Sequence, residues 1–101
     1  MASPVRPQIK LKVPVEIVAI IRGCHPQLKR KIRAGLQYIV TEPESGKSLK
    51  DDIEGLKSYR INRFRIIYRI FSKKTIDIVA VGPRKTIYEE TYRIIKKESN
   101  L

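Results

Sequence analysis

The sequence predicts an α+β fold: an antiparallel sheet, a helical hairpin packed on one face, and a helix at the C-terminus. Three observations predict it. Apolar residues recur at helical spacing between residues 26 and 40. From residue 57 the period falls to two, and turn residues divide that stretch into three runs. After Gly82 and Pro83 a helical period returns. The predicted order is β-α-α-β-β-β-α, in a single domain spanning all 101 residues.

Residues 1–7 contain two prolines and read as a flexible arm. Ile9, Leu11 and Val13 alternate with Lys10 and Lys12, a strand pattern. Pro14 suits the first turn of a helix, where its missing N–H is not needed. Val15, Val18 and Ile21 then share one face of a helix ending near Gly23. The same segment is rich in β-branched residues and is also readable as a strand. Pro26 opens a second helix with its apolar stripe at Leu28, Ile32, Leu36, Ile39 and Val40. Lys29, Arg30, Lys31 and Arg33 fall mostly outside that stripe. Gly35 permits close packing, and Pro43, Ser45 and Gly46 mark a loop.

In the meander, Tyr59 and Ile61 alternate with Ser58, Arg60 and Asn62. A tight turn near Asn62 and Arg63 follows. Phe64, Ile66, Tyr68 and Ile70 then alternate with Arg65, Ile67, Arg69 and Phe71, and residues 75–81 form the third run. All helices are expected on the Phe64, Ile66 and Tyr68 face. Arg65 and Arg69 point the other way, and Arg60 joins them, with Arg84 at the rim and Lys85 beside it. Thr86 with Glu89 fits a capping box for the last helix. Tyr88, Tyr92 and Ile95 follow at helical spacing, with Tyr92 assigned to the core, and Lys96 and Lys97 occupy the final turn.

Charge narrows the function. Lys and Arg total 22 against 10 acids, a formal net charge of +12. Self-repulsion of that size favours a polyanion or an acidic protein as partner. Arginine suits phosphate because its fixed fork binds two oxygens at once. Charged outward positions also solubilise a sheet face with no further role. Cys24 is the only cysteine, so an internal disulfide and a cysteine-rich zinc site are excluded. With no signal peptide in evidence, a cytoplasmic location is expected. No apolar stretch is long enough to span a bilayer, so no membrane role is expected. His25, the single histidine, reads as a capping or surface residue, and a two-histidine nuclease is excluded. Asp51, Asp52 and Glu54 could hold a divalent cation but fit better as a solvated surface cluster. No metal site and no cofactor are expected.

Residues 56–70 (LKSYRINRFRIIYRI) and 81–88 (VGPRKTIY) together resemble the RelE/ParE superfamily of bacterial toxins. The first segment is similar to that family's central hairpin and the second to its glycine–basic–tyrosine ending. The resemblance extends over most of residues 9–95. It implies a compact toxin of a type II toxin–antitoxin system, bound by an acidic antitoxin in a hetero-oligomer. The RelE branch implies a metal-independent, ribosome-dependent endoribonuclease acting on mRNA to inhibit translation. There the 2′-hydroxyl attacks the adjacent phosphate and leaves a cyclic phosphate. The ParE branch implies inhibition of DNA gyrase by binding alone, and a non-catalytic RNA-binding protein is a third possibility.

By this resemblance the catalytic set is Arg65, Arg84 and Tyr88. Arg65 would stabilise the transition state, Arg84 would contact phosphate or assist the leaving group, and Tyr88 would stack on or orient a base. The RNA-binding set is Arg60, Asn62, Arg69 and Lys85. Arg60 falls where RelE has a lysine. Asn62 falls near a second family lysine and departs from the pattern, since an amide cannot act as a lysine base. Arginine does not readily lose a proton, so the residues supply electrostatic stabilisers more clearly than a base.

Overall fold

The computed structural model describes residues 9–49 and 55–99. The flexible-arm expectation for residues 1–7 and the acidic cluster Asp51, Asp52 and Glu54 lie outside the described residues. The elements are β1 (Lys10–Lys12), α1 (Val15–Arg22), α2 (Pro26–Thr41), a 3₁₀ turn (Pro43–Ser45), β2 (Lys47–Ser48), β3 (Lys57–Ile61), β4 (Phe64–Ser72), β5 (Thr75–Pro83) and α3 (Arg84–Ser99). The sheet order is β1-β5-β4-β3-β2. The meander β3-β4-β5 is antiparallel as expected, whereas β1 lies parallel to β5 at the edge. The short β2, beside β3, falls in a segment whose sequence reads only as loop.

Residues 15–22 settle as a helix rather than a strand, with Pro14 supplying a carbonyl to the first turn and Ile17 buried. His25 caps α2: its Nδ1 accepts from the Gln27 N–H at 3.3 Å, and Pro26 follows as the first helical residue. Ile32 and Ile39 of α2 are fully buried against Ile66 and Tyr68 of β4, Ile61 of β3, and Ile76, Ile78 and Val81 of β5. Gly35 sits where a Cβ would lie 2.8 Å from Ile61 Cδ1, so α2 rides directly on β3.

The expectation that all helices share one face needs correcting for α3. A second cluster of Leu56, Ile67, Ala80 and Ile87 lies on the opposite side of the sheet, where α3 packs. The physical reason is that β4 is apolar in both parities. Ile66 and Tyr68 face the hairpin, Ile67 faces away, and all three are fully buried. The α3 boundary also moves. The helix begins at Arg84, so Thr86 lies inside its first turn and does not cap it. Its buried stripe is Ile87 and Thr91, with Ile95 half-buried, while Tyr92 is 40% exposed and outside the core to which the sequence assigned it.

Tyr68 anchors the loop after α2. Its hydroxyl donates to the Pro43 carbonyl (2.7 Å) and accepts from the Gly46 N–H (3.0 Å). A Cβ on Gly46 would stand 2.5 Å from that hydroxyl, with the rigid ring close behind. Gly46→Ala is therefore expected to destabilise the fold by about 1–3 kcal/mol, as overpacking does. A urea melt with an unchanged midpoint would show that the loop simply moves aside.

Candidate phosphate-binding cleft

The candidate site is built at the end of the sheet where β3 turns into β4. Ile61 and Phe64 pair across a two-residue turn, with Asn62 in the left-handed region (φ 52°), which asparagine tolerates better than most residues. One row further in, Arg60 lies directly opposite Arg65, and Arg65 lies opposite Gly82 of β5. Opposed residues of an antiparallel pair share a face, so two arginines stand side by side there. Gly82 leaves the neighbouring position without a side chain.

β5 carries one extra residue between its pairs Ile78–Tyr68 and Ala80–Ile67. This irregularity at Val79 resets the alternation, placing Ala80 and Gly82 on the α3 side and Val81 on the α2 side. Pro83 then ends the strand, and Arg84 starts α3 at once. The Arg84 N–H donates to the Arg63 carbonyl at 2.7 Å, tying the helix start to the β3–β4 turn.

The outcome is an open cleft of about 710 Å³ lined by Arg60, Asn62, Arg63, Arg65, Pro83, Arg84 and Lys85. Five of these seven side chains are cationic, and none is acidic. Among the described residues no carboxylate pairs with any of the five. Arg65 is steered by main chain instead, its Nη1 donating to the carbonyls of Asn62 (3.2 Å) and Phe64 (3.0 Å). The first turn of α3 adds the positive end of a helix dipole. Like charges in direct cross-strand register are unfavourable by themselves, and an anion between them reverses the sign.

The sequence matches the family model of the ParE toxin of type II toxin–antitoxin systems, parDE, over residues 15–88. The chain belongs to this toxin family, within the RelE/ParE superfamily. Solved structures show the same fold around the toxin. The toxin–antitoxin complex RelBE2 of Mycobacterium tuberculosis matches at 21% identity and TM-score 0.67, covering 76% of this chain and 99% of that one. An arginine-to-alanine double mutant of E. coli toxin RelE in the free state matches at 14% identity and TM-score 0.70, covering 90% and 97%. The archaeal RelE–RelB complex from Pyrococcus horikoshii matches at 21% identity and TM-score 0.62, covering 76% and 96%. No curated protein matches the toxin in sequence.

Of the candidate residues, the toxin gathers Arg60, Asn62, Arg65, Arg84 and Lys85 into the cleft. Asn62 also shapes the turn and offers its carbonyl to Arg65. Tyr88 lies one helical turn beyond Arg84, 36% exposed, with its hydroxyl 3.4 Å from Ser58 Oγ rather than in the cleft. Arg69 is not brought to the others. It has the expected parity, but Ile67 and Ala80 under α3 intervene, and it lies four steps along β4 from Arg65, about 13 Å. Its Nη2 sits 3.4 Å from Asp77 Oδ2, across the strand pair, and it lines a different hollow with Lys12 and Ile94. Arg63 joins the cleft without having been singled out from the sequence. Its place in the two-residue turn between cleft-lining strands is the signal that could have found it.

Among the described residues no group of three His, Cys, Asp or Glu side chains is placed to hold a metal ion. No helix of the described residues is long and apolar enough to cross a membrane.

Proposed function

We propose that the toxin is an mRNA endoribonuclease that acts on the ribosome and holds the RNA backbone in the Arg60–Arg65–Arg84 cleft. The observation carrying this is the unpaired cation cluster, with Arg60 and Arg65 forced side by side and a helix N-terminus behind them. In the proposed reaction the 2′-oxygen bonds to phosphorus and the bond to the 5′-oxygen breaks. A 2′,3′-cyclic phosphate and a 5′-hydroxyl result. The proton lost by the 2′-hydroxyl is balanced by the one taken up at the 5′-oxygen. Arg60, Arg65 and Arg84 stabilise the charge that builds on the phosphorane oxygens. Lys85 is the one cleft cation whose chemistry allows a proton to be passed to the leaving oxygen. Controlled expression with mapping of mRNA 5′ ends tests the proposal. In-frame cuts on translated messages are expected, and intact messages in arrested cells would overturn it.

A second reading is inhibition of DNA gyrase by binding, and the family match to ParE favours it. Blocked supercoiling with intact mRNA in the same cells would select it. Both readings include an acidic antitoxin, an inference supported by the toxin–antitoxin complexes among the fold's neighbours and by the charge of the chain.

RNA affinity is expected to fall steeply with salt, because each phosphate contact releases counterions. Replacing Arg65 or Arg84 with Ala should lower the slope of log affinity against log salt by about one each. Arg69→Ala, already neutralised by Asp77, should leave the slope unchanged. Equal slopes for all three variants would remove the cleft as the contact surface.

A further inference from the structure

We infer that the toxin carries a base-stacking subsite on the outer face of α3, formed by Tyr92 and Lys96, for a nucleotide next to the one held in the cleft. The subsite rests on the RNA-binding role proposed for the cleft and extends it along the helix. Packing does not explain these residues. The inner stripe of α3 is complete with Ile87 and Thr91 fully buried and Ile95 half-buried, yet Tyr92 is 40% exposed, and Tyr88, 36% exposed, reaches inward only with its hydroxyl, 3.4 Å from Ser58 Oγ. The two tyrosines bound a shallow, largely apolar hollow of about 390 Å³ together with Glu89 and Arg93.

The spacing connects that hollow to the cleft. Arg84, Tyr88, Tyr92 and Lys96 recur at every fourth position, so each neighbours the next on the surface of α3, and the row winds about a third of a turn around the helix over about 18 Å. Arg84 opens the row inside the cleft. Lys96 closes it, with Nζ 5.8 Å from the centroid of the Tyr92 ring. A base resting on that ring would have its phosphate within reach of the ammonium group. The one carboxylate in the hollow, Glu89, faces the Arg93 guanidinium at 3.9 Å, which offsets its repulsion of a phosphate. Cations that follow the backbone, alternating with aromatic rings that receive bases, are the working parts of single-strand binding surfaces. Stacking of this kind tolerates any base. The subsite therefore positions the strand rather than selecting its sequence. Because both ends of the row are cationic and its first member, Arg84, lines the cleft, RNA fits it better than a protein segment.

The test is anisotropy titration, at low salt, of a fluorescein-labelled single-stranded RNA of about 10 nucleotides, within the length such surfaces occupy. Wild type, Tyr92→Ala, Tyr92→Phe and Arg65→Ala are compared, with circular dichroism confirming that each is folded. Tyr92→Ala is expected to weaken binding roughly 5- to 150-fold, the range for losing one stacked base, and Tyr92→Phe to retain it. If Tyr92→Ala binds like wild type while Arg65→Ala is weakened, the subsite is overturned and the cleft stands. If wild type binds no RNA, both fall. If Tyr92→Ala leaves RNA binding intact but weakens binding of the antitoxin, the row is a protein interface and the subsite is overturned. Ribosome-dependent cleavage, measured separately, decides the proposed reaction.

Discussion

Arg65→Ala is expected to reduce mRNA cleavage by about 10²–10³-fold while the protein stays folded. A cation that stabilises developing charge is worth that much when removed. The fold should tolerate the loss because Arg65 is only half-buried, its bonds go to carbonyls of the adjacent turn, and its removal relieves the opposition to Arg60. Arg65→Lys should fall between, since it restores the charge without the two-pronged fork. A ribosome-dependent cleavage assay with circular dichroism on each variant makes the comparison. A folded Arg65→Ala protein with full activity would take Arg65 out of the reaction.

Tyr68→Ala should fail for the opposite reason. The ring has no exposed surface, and removing a buried aromatic costs about 3–5 kcal/mol. Domains of this size hold a total of only about 5–15 kcal/mol, so most of the margin goes. The hydroxyl can be separated from the ring. Tyr68→Phe keeps the packing but leaves the Pro43 carbonyl and the Gly46 N–H without their partner, at about 1–3 kcal/mol. The expected order of stability in urea is wild type, then Tyr68→Phe, then Tyr68→Ala. A Tyr68→Ala midpoint equal to that of wild type would mean that β4 presents its faces the other way round.

These contrasts follow from parity, the part of the fold most legible in the sequence. Alternation along residues 57–71 separates Arg60 and Arg65 from Tyr59, Ile66 and Tyr68, and the structure keeps that separation. Helical spacing likewise finds Ile32 and Ile39 as the buried face of α2. Long-range pairing is not written in local period. Nothing in residues 10–12 says that this strand will lie parallel to β5, and nothing in residues 47–48 says that they will pair with β3. The position of α3 was legible in principle, because Ile67 and Ala80 are apolar on the face assigned to arginines. Arg69 shows the limit of parity within the site. Sharing a face with Arg65 does not bring two side chains together when a helix sits between them and Asp77 is directly opposite. Arg63 shows the complementary limit, since a turn residue has no strand parity from which to read its direction.

The extra residue at Val79 has a consequence for how this family could vary in length. Removing it would leave Ile78 opposite Tyr68 and Ala80 opposite Ile67, so each later residue of β5 would keep its present neighbour. A shortened chain could thus retain the whole pairing scheme. What it would lose is the packing of Val79 against the cluster under α3, with the local bend and added twist that such an insertion gives a strand. β5 is the strand that delivers Arg84 to its place beside the turn, so the shortened protein would be correctly assembled yet aim its helix differently. The position uncouples assembly from aim: one codon could be lost there without changing the pairing of β5, and the bearing of Arg84 toward the turn would change with it.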